Sequence, residues 1–228
     1  MTTTVTPRPA TAGRRPTARI AAAVSALTLT VLGVGVGTAA PASAAQPLHN
    51  GSQFWVVKDG GYVGRCTATV IDRKRFYTAG HCGSVGATAE FHGDTIATAT
   101  RSGLRQGYDI LEFTLKPLVR TSPTAADLAY RPTVGDPVSK DGSVSGHTEG
   151  TVKTAELSPN EASESVHAAL DGETFPVSTW EANLLSARGD SGSPVSHNGK
   201  VVGILKGGHG TETTTVTPLR EALDALRP

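Results

Sequence analysis

Ser191 stands between glycines in the run Gly189–Asp190–Ser191–Gly192–Ser193–Pro194. A serine so placed can hold its hydroxyl exposed while two backbone N–H groups turn toward the same point, which is what a nucleophile and an oxyanion hole both need. The same residue types make ordinary turns, so the chemistry depends on a base and an orienting acid elsewhere in the chain. His81, in Thr78–Ala79–Gly80–His81–Cys82, follows a β-like run and neighbours a cysteine. A base must be held within hydrogen-bond reach of its nucleophile, and a bridge through that cysteine would hold it. Asp109 lies between Tyr108 and Ile110–Leu111 on an expected strand, where a partly buried carboxylate requires a partner. Asp59, Asp72, Asp94 and Asp141 stand beside Gly or basic residues and read as turn or surface acids.

The elements that must position these groups begin after a leader. Residues 1–19 contain four arginines and no acid, residues 20–40 are an Ala/Val/Leu/Gly/Thr run, and Ala42–Ser43–Ala44 follows. This is the pattern of a secretory signal cut after Ala44, so residues 1–44 are set apart and the protein is expected outside the cell. An uncleaved leader would instead be long enough to anchor the chain in a membrane. Without the leader, 17 of the 21 Lys+Arg face 20 Asp+Glu, a formal charge of roughly −3. Such a balance lacks the electrostatic footprint of a nucleic-acid-binding protein. The two cysteines, Cys66 and Cys82, are expected to form one disulfide in an exported chain; zinc, the competing reading, needs more ligands than they supply. No metal or cofactor is called for.

Short β-like runs follow one another at Phe54–Val57, Cys66–Ile71, Arg75–Thr78, Ala87–Phe91, Thr95–Thr100 and Tyr108–Leu115. Four prolines between Pro117 and Pro137 mark a connection. A second series then runs through Asp136–Ser139, Val144–His147, Thr151–Leu157, Phe175–Thr179, Gly192–Ser196, Val201–Leu205 and Thr211–Val216, with Asn198–Gly199 as a two-residue hairpin signal. The last residues change period: Thr217 reads as a cap, Pro218 as the first helical residue, and Leu219, Ala222, Leu223 and Leu226 share one face. The fold class is all-β, with a first lobe over 45–120, a second over 121–228 and a terminal helix.

The motifs around His81, Asp109 and Ser191, in that order, resemble the chymotrypsin-like serine endopeptidases of the trypsin superfamily, particularly the short secreted bacterial members. The resemblance implies two six-stranded antiparallel β-barrels with the site between them. It also implies a catalytic triad of His81, Asp109 and Ser191, and an oxyanion hole from the Gly189 and Ser191 N–H groups. The implied partner is a protein or peptide substrate, cleaved by a monomer without stable membrane association. Relatives place the primary pocket near Leu184, Leu185 and Ser186, and the substrate-binding edge near Lys206, Gly207 and Gly208. No acid stands at that floor, so a preference for basic side chains is not expected, while Arg188 and Lys206 favour acidic groups. Lys206 occupies the place of a serine in relatives. A lysine beside Asp109 could compete with His81 for the carboxylate, which gives a second reading, a peptidase-like binding or regulatory protein with impaired turnover. Animal relatives free an Ile/Val-led start that inserts beside the acid preceding the serine; no such sequence precedes the first expected strand.

Overall fold

A computed structural model describes residues 46–161, 173–209 and 213–228. The expected leader, residues 1–44, lies outside the described residues, as do the first two residues of the strand expected over Thr211–Val216. A two-residue parallel clip, β1 (Leu48–His49) on β8 (Thr121–Ser122), ties the start of the described chain to the connection between the sheets. The first sheet contains β2 (Gln53–Lys58), β3 (Gly61–Thr67), β4 (Arg75–Thr78), β5 (Thr88–Phe91), β6 (Asp94–Ser102) and β7 (Leu111–Leu115), in the order β3-β2-β5-β6-β7-β4. The second contains β9 (Pro137–Gly142), β10 (Gly146–Glu161), β11 (Pro176–Ala182), β12 (Pro194–His197), β13 (Lys200–His209) and β14 (Thr213–Pro218). It closes as β10-β11-β14-β13-β12-β9, and pairing within both sheets is antiparallel.

The all-β, two-sheet architecture is therefore present, but only the second sheet is a closed ladder. The two edge strands of the first, β3 and β4, are not paired with each other; two residues past β3, Thr69 exchanges N–H···O bonds of 2.8 Å with Tyr77 of β4 in a single bridge. The strand expected over Cys66–Ile71 ends at Thr67 because the backbone there turns to a new partner: the Thr67 N–H donates to the Ser191 carbonyl at 2.8 Å. Likewise 143–145 form a turn rather than the strand expected from Val144, and β10 begins at Gly146.

Alternation along the strands builds each core. In β2, Phe54 and Val56 point inward, and Phe54, Phe76 and Phe113 pack ring to ring at 4.8–5.6 Å. Each fully buried aromatic of this kind contributes about 1.5–3 kcal/mol over leaving it exposed. Val138, Val152, Trp180, Val195, Leu205 and Val216 fill the second sheet's core. Asn198 and Gly199 have φ of 49° and 73°, the two positive values that a type I′ hairpin turn requires.

Helix α1 (Leu219–Ala225) packs Leu219, Ala222 and Leu226 against Tyr77 and Ile110 from one side and Val201 and Ile204 from the other. Its start differs from the sequence reading. Pro218 is the N-cap residue, with φ −67° and ψ 126°, and Thr217 belongs to β14, its buried hydroxyl donating to the Asp109 carbonyl at 3.4 Å. The Cys66–Cys82 disulfide forms as expected, closing a loop of sequence separation 16. In the chain-entropy model such a loop contributes about 3 kcal/mol.

Candidate active site

His81 occupies a short 3₁₀ turn, Gly80–Cys82, directly after β4, and the disulfide ties its neighbour Cys82 to β3. Asp109 does not lie on a strand as expected. It precedes β7, in a tight loop held by hydrogen bonds from Tyr108 N to Gly103 O and from Gly103 N to Ile110 O, and it is completely buried. One carboxylate oxygen, Oδ1, accepts the His81 backbone N–H at 2.8 Å, and Oδ2 lies 2.8 Å from the ring Nδ1. An ionised carboxylate only accepts, so the Nδ1 position carries the proton and Nε2 is left as an acceptor. The Ser191 hydroxyl stands 2.9 Å from Nε2 and donates to it.

Ser191 is clasped from both sides. Thr67 N binds its carbonyl, and Gly192 N donates to Leu205 O on β13 at 2.8 Å. Gly192 has φ +89°, and a Cβ there would collide with the Thr78 hydroxyl, so the close approach of this loop to β4 needs glycine. The N–H groups of Asp190, Gly192 and Ser193 all have backbone acceptors, whereas among the described residues those of Gly189 and Ser191 have none. Hydroxyls of Thr67 and Ser143 hold the Gly189 carbonyl at 2.8 and 3.1 Å. Two free donors beside a serine hydroxyl can stabilise charge developing on a substrate oxygen.

Asp190, the acid preceding the serine, is buried together with a cation. Its partner is Lys140 on β9, both side chains having no exposed surface, with Nζ 3.3 Å from Oδ2. Asp190 Oδ1 accepts the Val144 and Ser145 N–H groups, and Oδ2 accepts the Ala187 N–H and the Ser145 hydroxyl. The Lys140 ammonium also donates to the Ser145 hydroxyl and the Gly146 carbonyl. A signal for Lys140 existed in the alternation of β9, which buries Val138, Lys140 and Gly142 on one face.

Burial pushes the Asp109 carboxyl upward, but the His81 charge, the two hydrogen bonds from His81 and the Lys206 charge outweigh it and hold the group below its ordinary value. For Asp190, burial is again outweighed, by the Ser145 hydroxyl, the Val144 and Ala187 N–H groups and Lys140. A carboxylate whose pKa is lower folded than unfolded stabilises the fold above its unfolded pKa of about 4 and loses that contribution as pH falls through the folded value. Thermal melts should therefore be level above about pH 5 and drop progressively below about pH 4. A melting temperature constant down to pH 2 would contradict the ionised, paired state of both acids.

The model of the family described as Trypsin matches residues 45–225. The chain belongs to the trypsin family. It is a serine endopeptidase of that family, and trypsin-family structures resemble it over most of its length. Chymotrypsin of Cellulomonas bogoriensis superimposes with a TM-score of 0.62 at 23% identity, covering 79% of this chain and 96% of its own. Protease A of Thermobifida fusca gives 0.61 at 20% identity, covering 78% and 95%. A glutamic acid-specific serine protease that uses a histidine triad in substrate binding gives 0.58 at 25% identity, covering 78% and 96%. No curated protein matches the sequence.

The residues that the trypsin-family resemblance assigns to a pocket fall in distinct places. Leu184 is buried in the barrel core, while Leu185 is exposed and its carbonyl accepts the Thr148 hydroxyl at 3.2 Å. Ser186 is buried and stands 3.3 Å from the Thr214 hydroxyl, which donates to the Leu184 carbonyl at 2.6 Å. Thr214, which the sequence reading did not single out, thus connects Ser186 to the β13 edge, because β14 pairs Thr214 with Gly208. A Cβ at Gly207 would meet nothing within 4 Å, so that stretch of edge is open. Lys206 lies at the bulge of the β13–β14 ladder, half-buried, close enough for its charge to act on Asp109 but without a hydrogen bond to it. The described helices include none long and apolar enough to cross a membrane.

Proposed function

We propose that this serine protease hydrolyses peptide bonds through an acyl-enzyme, with Ser191 as nucleophile, His81 as general base and then general acid, and Asp109 as the group that orients the imidazole. The observation carrying this reading is the unbroken relay from Asp109 Oδ2 to His81 Nδ1 at 2.8 Å and from His81 Nε2 to Ser191 Oγ at 2.9 Å. Ser191 Oγ forms the bond to the scissile carbonyl carbon as its proton passes to Nε2. The developing oxyanion takes the Gly189 and Ser191 N–H groups. Collapse breaks the C–N bond, and the proton on Nε2 goes to the leaving amine. Water then repeats the sequence and releases the acid. Residues 1–44 serve as an export signal, so the enzyme works outside the cell as a monomer on protein or peptide substrates.

Glutamic-acid specificity belongs to one structural neighbour, where a histidine triad binds substrate.

A fluorophosphonate probe tests the proposal. It should label the wild-type protein at Ser191, the Ser191→Ala variant should remain unlabelled, and only the wild type should hydrolyse a peptide library. Absence of both labelling and hydrolysis in folded wild-type protein would favour a binding or regulatory role, the reading that the charge of Lys206 beside Asp109 supports.

A further inference from the structure

Two strands clasp the Ser191 loop and each presents a cation, and the loop itself carries a third. On β3, Thr67 N–H binds the Ser191 carbonyl, and Arg65 stands two residues earlier, on the same face of the strand. On β13, Leu205 accepts the Gly192 N–H and donates to the Ser193 carbonyl at 2.9 Å, and Lys206 follows it at the bulge. Arg188 is exposed three residues before Ser191. The guanidinium of Arg65 lies against the loop itself: a Cβ on Gly189 would stand 3.3 Å from its Nε and 3.7 Å from its Nη2. Arg65 is exposed and Lys206 half-buried.

The acids in reach of these cations are already committed. Among the described residues, Arg65, Arg188 and Lys206 form no ion pair. Asp109 and Asp190 are both fully buried and satisfied by His81 and Lys140. On the neighbouring hairpin, the exposed Asp141 and Glu149 turn toward His147. Arg65 and Lys206 thus stand on the two strands that hydrogen-bond the Ser191 loop, in a chain whose formal charge beyond the leader is roughly −3.

We infer, resting on the peptidase reading above, that the enzyme selects peptides with an acidic side chain on each side of the scissile bond, one paired with Arg65 and the other with Lys206, while Arg188 adds to the local attraction. A guanidinium can meet a carboxylate with two parallel N–H···O bonds, and a half-buried ammonium is screened less than an exposed one. Exposed pairs are individually modest, so each acid should change kcat/KM by roughly five-fold and both together by roughly twenty-fold. A basic side chain at either place meets like charge and is rejected.

The test is a peptide set of one core sequence with Glu or Gln at each of the two positions on either side of the cleaved bond. With wild-type enzyme, the ratio of kcat/KM for Glu over Gln peptides should exceed one on both sides and shrink at high salt. Arg65→Gln should abolish the ratio on one side and Lys206→Gln on the other, whatever either change does to the absolute rate. Equal rates for Glu and Gln peptides with wild-type enzyme, or ratios surviving in both variants, overturn the inference.

Fluorescence anisotropy with labelled peptides on the Ser191→Ala protein provides a readout independent of turnover, and there too the Glu peptides should bind tighter in a salt-dependent way. Acid-selective binding without fluorophosphonate labelling of the wild type would sink the peptidase reading and leave only the pairing of acidic side chains with Arg65 and Lys206 standing. Labelling without acid selectivity would do the reverse.

Discussion

Replacing Asp109 with Asn should lower kcat on a peptide substrate by about 10⁴-fold at neutral pH while leaving the fold intact. The aspartate only accepts hydrogen bonds, and its Oδ2 faces His81 Nδ1 at 2.8 Å while Oδ1 takes the His81 backbone N–H. An asparagine must point its carbonyl at one of these donors and its NH₂ at the other. If the carbonyl keeps the backbone N–H, the NH₂ faces Nδ1, which must then become an acceptor, and the imidazole proton moves to Nε2. In that tautomer Nε2 cannot accept the Ser191 proton across the 2.9 Å contact, so the nucleophile loses its base. Steady-state kinetics and a thermal melt on the same preparation separate lost chemistry from lost structure. A fall of less than ten-fold would mean that Asp109 does not set the tautomer.

Lys140→Met is expected to damage stability and activity together. Lys140 and Asp190 are both completely buried, and removing one partner of such a pair leaves an uncompensated charge at a cost of about 3–5 kcal/mol. The same carboxylate fixes the N–H groups of Val144, Ser145 and Ala187, and its backbone lies between Gly189 and Ser191. Any shift of Asp190 that recovers solvation therefore tilts the two free N–H groups, and misplacing one donor of this kind costs about 10²–10³ in kcat. Urea unfolding should show the loss of stability, and kcat/KM should fall by at least about 100-fold. The double variant Lys140→Met/Asp190→Asn should regain part of the stability, since it removes the orphaned charge. A single variant no less stable than wild type would show that the pair is not what holds this loop. The partner of Asp190 comes from β9, within the same sheet as the Ser191 loop, and no newly freed chain terminus is needed to supply the charge.

How much of this was legible beforehand depends on the range of the interaction concerned. The Asn198–Gly199 turn and the inward face of β2 follow from local rules, since dihedral freedom and side-chain alternation act over a few residues. Where a distant partner intervened, local rules failed. Tyr108–Leu115 reads as a continuous strand, yet β7 starts only at Leu111, because the backbone around Asp109 closes a loop with Gly103. Thr217 reads as a helix cap, yet its hydroxyl turns to the Asp109 carbonyl and the helix begins two residues later. Cys66 reads as part of a longer strand, but that strand ends one residue on, where Thr67 N–H is taken by Ser191.

The sequence by itself determined which residue types were available for the chemistry: one serine flanked by glycines, one histidine beside a cysteine, and one acid among hydrophobic neighbours. It also determined that short alternating runs would make two β units, because strand patterning is a local property. Only the tertiary structure decided that these groups meet, across separations of 28 and 110 residues. Only it decided that Lys140 neutralises Asp190 and that Arg65 and Lys206 stand on the two strands that hydrogen-bond the Ser191 loop. The physical reason is that hydrogen bonds and charge pairs act over a few ångströms of space, whereas sequence patterns report only neighbours along the chain. Which side chains come within that distance is set when β3 and β13 close on the two sides of Ser191.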